Sequence, residues 1–80
     1  MDNNAKKPTV VVGYNQVMRS VIAKNAACVY VAEDTESGML ALIRSKCAEN
    51  GIRTVTVKSK AELGKAAGIE VPAAVMAKLK

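Results

Sequence analysis

The sequence predicts a layered α/β domain, a β-sheet sandwiched between helices, and three observations carry that prediction. Hydrophobic residues make up 50% of the 80, yet there is no Phe or Trp, and Tyr14 and Tyr30 are the only aromatics. An aliphatic core of this kind suits packed α/β layers better than an aromatic-cored β-sandwich. The apolar pattern switches repeatedly between short strand-like runs and helical spacing. The connections between these stretches are short, which favours mostly right-handed crossovers. With no repeat, linker or low-complexity segment, residues 1–80 make a single domain near the small end of what folds unaided.

Each element can be justified in turn. Pro8 to Val12 (PTVVV) is a β-branched run closed by Gly13, a buried strand followed by a turn. From Asn15 the period lengthens, and Val17, Met18, Val21 and Ile22 recur at helical spacing. Asn15 is a suitable N-cap for this helix, and Asn25 suits a left-handed residue at its end. Cys28 to Glu33 (CVYVAE) is apolar on both parities, as a fully buried central strand should be. Asp34 to Gly38 is a polar turn with possible N-caps in Thr35 and Ser37. Met39, Leu40, Leu42, Ile43 and Cys47 then trace one face of a second helix, stopped by Asn50 and Gly51. Arg53 to Val57 alternates as a third strand, Val55 and Val57 opposite Thr54 and Thr56. Ser59-Lys60-Ala61-Glu62 is a capping box opening a third helix that ends at Gly68. The tail from Ala73 fits a helix by propensity and a short apolar strand by pattern, and local sequence leaves both open.

Composition excludes several function classes. Twelve basic against seven acidic residues give a net charge of +5, which points to a polyanion, nucleic acid before anionic membrane, or simply to a lysine-rich surface. Cys28 and Cys47 match no metal-ligand or C-x-x-C spacing, and they read as buried, reduced thiols in a cytoplasmic setting. No stretch approaches the roughly 20 apolar residues of a membrane span, and MDNNAKKP lacks the apolar segment of a secretory signal. Without His, an enzyme would have to work through carboxylates and lysines. Glu33, Asp34 and Glu36 could hold Mg²⁺, but a solvated turn of helix-favouring acids explains them more simply. Gly64-Lys65-Ala66-Ala67-Gly68 lacks the lysine–hydroxyl ending of a P-loop. Its G-x-x-x-G spacing is better explained by close packing and a helix stop. Catalysis is not expected, nor is a cofactor or a metal.

RNA binding is supported more directly. Two tyrosines cannot build the stacking platform of an RRM or cold-shock surface. What remains is recognition of structured RNA through shape, phosphates and a few contacts to base edges. Residues 13–19, GYNQVMR, place a glycine, two side-chain amides and an arginine at a helix start, where free backbone amides attract anions. The same residues also serve as a plain cap and polar first turn.

GYNQVMR followed by VYVAEDT, and LGKAAGIEV after the capping box, together resemble the L-seven-A-e family of ribosomal and RNP-core proteins, most of all its short bacterial members. The resemblance runs from about Val10 to Ala77. It implies a three-layer α-β-α sandwich around a mixed four-stranded sheet, with residues 73–77 as the fourth strand. The family's N-terminal helix would be shortened or absent, and residues 1–7 flexible. It also implies binding of kink-turns, RNA bends flanked by tandem sheared G·A pairs. Carried over, Gly13, Asn15 and Gln16 face the G·A pairs, Arg19 a neighbouring base or phosphate, and Lys24 the backbone. Ile69, Glu70 and Val71 form the second RNA-facing loop, stiffened by Pro72.

Three departures from the family pattern stand out. Gln16 replaces the commoner glutamate, Arg19 the commoner lysine, and Tyr14 a small residue that in this chain stacks on RNA or crowds it. A glutamine offers one acceptor oxygen where a carboxylate offers two, so a bidentate contact to a guanine edge is lost. The partner implied is structured RNA, a kink-turn of ribosomal or riboswitch type, bound by a monomer inside a ribosome or another RNP. The competing reading is a protein-interaction module of the same fold that has lost specific RNA binding. Basic residues outside the two motifs, such as Arg44, Lys46 and Lys58, read as solvated faces.

Overall fold

The computed structural model describes residues 10–69 and 71–80. The expectations for residues 1–7, for an N-terminal helix and for Glu70 fall outside the described residues. Seven elements follow in the order β1 (Val10–Val12), α1 (Tyr14–Ile22), β2 (Ala26–Ala32), α2 (Ser37–Glu49), β3 (Arg53–Val57), α3 (Lys60–Ala67) and β4 (Val75–Leu79). They build one mixed sheet in the order β1-β4-β2-β3, with β4 antiparallel to both β1 and β2, and β3 parallel to β2. The parallel pair is joined through α2, and the late strand β4 slots between β1 and β2.

Two separate apolar clusters define three layers. On one face Val29, Val31, Val75 and Ala77 of the sheet meet Val17 and Val21 of α1 and Ile43 and Cys47 of α2. On the other, Ala32 and Met76 meet Leu63 of α3. The expected α-β-α sandwich with a four-stranded mixed sheet therefore forms. Burial pushes the Cys47 thiol above its ordinary pKa, against a smaller opposing pull from the Thr54 hydroxyl.

Several sequence expectations need correction. The cap of α1 is Gly13, not Asn15; its φ of 107° and ψ of 148° start the helix two residues earlier. At the other end Lys24, not Asn25, takes the left-handed conformation, with φ 61°. The amides of Lys24 and Asn25 bond the carbonyls of Val21 and Ser20, closing a Schellman motif that fixes the left-handed position by geometry. β2 begins at Ala26 and ends at Ala32, earlier than the expected 28–33. It is central but not fully buried, since Cys28 and Tyr30 are only half-buried. β1 begins at Val10 among the described residues.

The cap position of α2 falls on Glu36. Thr35 instead turns inward, its hydroxyl directed at the Ala74 carbonyl at 3.5 Å. Ile22 and Leu42 are exposed, at 61% and 58%. At about 100° per residue Ile22 lies roughly 140° round from Val17, and Leu42 about 100° from Ile43 on the side away from Leu40, so both miss the buried stripes. The capping box is half made: the Ser59 hydroxyl accepts the Glu62 amide at 3.2 Å. The tail is a strand, as the family resemblance implied, but spans Val75–Leu79, two residues later than expected.

Candidate nucleic-acid interface

The N-termini of all three helices lie at one end of the sheet, because each follows the C-terminal end of a strand. At α1 the first intrahelical bond runs from the Val17 amide to the Gly13 carbonyl at 3.0 Å. The amides of Tyr14, Asn15 and Gln16 therefore precede the helical ladder and face outward. No acidic residue occupies this first turn, so the positive end of the helix dipole is left uncompensated locally. The side chains of Asn15 and Gln16 are exposed, as is Arg19, about one turn further along.

The second half of the site is built by α3 and the loop after it. Gly68 ends the helix in the left-handed region at φ 79°, and the Ile69 amide bonds the Gly64 carbonyl at 3.0 Å. Gly64 has a different task. A Cβ there would overlap the Val71 carbonyl oxygen and lie 3.1 Å from the Val71 carbonyl carbon. The missing side chain lets the loop lie flat on the helix, so close packing and a helix stop together account for the G-x-x-x-G spacing. Ala61, Lys65, Ile69, Val71 and Pro72 line an open, mainly apolar hollow of about 450 Å³. Val71 is 61% exposed at its rim.

Short backbone bonds tie the two halves together. The Gly13 amide bonds the Val75 carbonyl at 3.1 Å, the Ala32 amide the Ala74 carbonyl at 3.0 Å, and the Ala73 amide the Lys60 carbonyl at 3.1 Å. Gly13, Tyr14, Asn15 and Gln16 thus lie at the same end of the sheet as Ile69 and Val71, with Arg19 further along α1. Lys24 does not join them: it caps the far end of α1, about 15 Å away along the helix. Sequence reasoning missed Ala61 and Lys65 as lining residues. Their spacing, one helical turn from each other and from Ile69, was the available signal.

The acidic turn sits at the same end. The Asp34 carboxylate accepts the Lys60 amide at 3.0 Å and so caps α3. Among the described residues no group of three or more His, Cys, Asp or Glu side chains gathers as a metal site, and no helix is long and apolar enough to cross a membrane.

Comparison with known proteins matches this architecture. The model of the "Ribosomal protein L7Ae/L30e/S12e/Gadd45 family" covers residues 1–80. An RNA-binding protein of Caldanaerobacter subterraneus subsp. tengcongensis is 39% identical over 70 residues, covering 88% of this chain and 85% of that protein. Large ribosomal subunit protein eL8 of Halobacterium salinarum is 38% identical over 66 residues, 81% of this chain but only 55% of the longer protein. Among solved structures, the Giardia lamblia 15.5kD RNA binding protein superposes with a TM-score of 0.77 at 26% identity, covering 89% of this chain and 60% of that one. With the family model spanning its whole length and its fold shared, the chain belongs to the ribosomal protein L7Ae/L30e/S12e/Gadd45 family.

Proposed function

We propose that this protein is a non-enzymatic RNA-binding module that recognises and stabilises kink-turn RNA within a ribosome or another RNP. The observation that carries the reading is that two RNA-suited surfaces, the α1 N-terminus and the hollow lined by Ile69, Val71 and Pro72, lie at one end of the sheet, with Gly13 bonded to Val75 at the start of β4. Relatives named as RNA-binding and ribosomal proteins support the same class.

In this reading Asn15 and Gln16 address the edges of the sheared G·A pairs, while the free amides of α1 draw the adjacent phosphates. Arg19 reaches a phosphate or base one turn further on, and Tyr14 lies against the RNA beside them. The hollow between Lys65 and Val71 receives the unstacked base of the bend, with apolar walls for its face and a cation at its margin. Glu70 belongs to this same loop in sequence. Lys24 stands outside the contact, on its placement. Glu33, Asp34 and Glu36 border the site with negative charge, which steers the RNA backbone toward the Arg19 and Lys65 side.

Function then follows by population shift: a surface that fits the bent RNA better than the extended one favours the bent form. The test labels both arms of a kink-turn RNA and follows bending by energy transfer as protein is added, beside an unbent duplex of matched charge. Specific bending of the kink-turn is expected, and Gln16→Ala should weaken it about tenfold or more, while Lys46→Ala leaves it unchanged. Equal, salt-sensitive binding to both RNAs would reduce the interaction to nonspecific electrostatics and overturn the reading.

A further inference from the structure

Among the described residues, the face of the sheet under α3 is only partly covered. Strand register places two rows across it, Val12–Met76–Tyr30–Val55 and Val10–Lys78–Cys28–Arg53. α3 has eight residues, about 12 Å of helix. Its cluster includes Met76, Val12 and Tyr30 but none of the four residues of the second row. That row opens to solvent: Arg53 and Lys78 are exposed, Val10 is 36% exposed, and Cys28 is half-buried between the two cations. Cys28 also pushes the Tyr30 phenol above its ordinary pKa, with Arg53 pulling weakly the other way, which marks how closely these groups gather.

The charge of the row decides what it suits. Arg53 and Lys78 stand two strands apart, about 10 Å, and neither pairs with a carboxylate among the described residues. The first nine residues of the chain hold Asp2 against Lys6 and Lys7, so they carry no net negative charge to match it. A second copy, itself at +5, is repelled. A polyanion is the complement. We propose that the uncovered row is a second RNA-backbone contact, Arg53 and Lys78 binding phosphates of a single strand independently of the helix-N-terminal interface. The RNA-binding reading enters only in choosing RNA among polyanions.

Binding of a kink-free oligouridine strand, measured against salt, tests it. For single strands each neutralised phosphate contributes about 0.7 to the log–log slope, so Arg53→Gln with Lys78→Gln should lower the slope by roughly 1.4. Asn15→Ala with Gln16→Ala should leave that slope intact. Oligouridine should also slow alkylation of Cys28 several-fold in the wild-type chain. An unchanged slope in the Arg53/Lys78 variant overturns the proposal, as does unprotected Cys28, the absence of oligouridine binding at low salt, or self-association that occupies the row. Both substitutions are at exposed positions, and unchanged thermal unfolding of the variant confirms that charge alone was altered. Kink-turn bending is read on the same proteins. Absence of bending by the wild-type protein with the oligouridine result intact defeats the kink-turn reading and leaves this one standing; bending by the wild-type protein with an unchanged slope in the Arg53/Lys78 variant does the opposite.

Discussion

The two halves of the candidate interface both depend on glycine, but for opposite reasons. Gly13 stands in open space, where a Cβ would meet nothing within 4 Å, yet its φ of 107° belongs to a backbone region that other residues rarely enter. Gly64 has ordinary helical geometry and no room at all, because the Val71 carbonyl lies where a Cβ would sit. One half of the site is shaped by a permitted torsion angle and the other by a missing volume. A third position shows what happens with neither remedy: Lys24 holds a left-handed conformation at φ 61° without being glycine. The edge of the molecule that faces RNA in our reading is thus fixed by backbone requirements at both halves.

Substitutions can break this contrast in a definite order. Gly64→Ala should have the largest effect, because the added methyl meets backbone that cannot turn aside as a side chain could. We expect a loss of about 1–3 kcal/mol or more, read as a lower denaturation midpoint at unchanged m-value, and displacement of the backbone at Val71 and Pro72. Gly13→Ala should cost less, about 1–2 kcal/mol, since only torsional strain opposes it. Equal losses for the two variants would contradict the distinction between volume and torsion. Lys24→Gly should move the other way and stabilise by about 0.5–1 kcal/mol, relieving the left-handed strain after allowance for unfolded-state entropy. Kink-turn affinity should stay level in that variant; a clear drop would return Lys24 to the interface.

Much of this was legible in the sequence because it depends on local periodicity. β3 formed at Arg53–Val57 as its alternation required, and α3 opened with Ser59 and stopped at Gly68. Other features were not legible. Asn15 is a good cap by residue type, but the turn after β1 needed the torsion angles only Gly13 supplies, so the helix began earlier. Ile22 and Leu42 are apolar at nearly helical spacing, and only the angular width of the buried stripe left them outside. Thr35 was available as a cap until the start of β4 gave its hydroxyl a carbonyl to face. On the site itself, the two motifs were visible, but Ala61 and Lys65 became lining residues only when the loop folded back over α3.

By itself the sequence determined the order of elements, the aliphatic core, the stops of α2 and α3 and the pair of motifs that mark the family. Those follow from the chemistry of neighbours within a turn or two of chain. Only the tertiary structure decided that Val75–Leu79 becomes a strand, since residues of helical propensity gain more from pairing between β1 and β2 than from local turns. It alone brought the start of α1 to the same end of the sheet as Ile69 and Val71, more than fifty positions from Gly13, and aligned Arg53 with Lys78 across β2. Contacts between distant parts of the chain carry no local periodicity, and they exist only once the sheet has closed around β4.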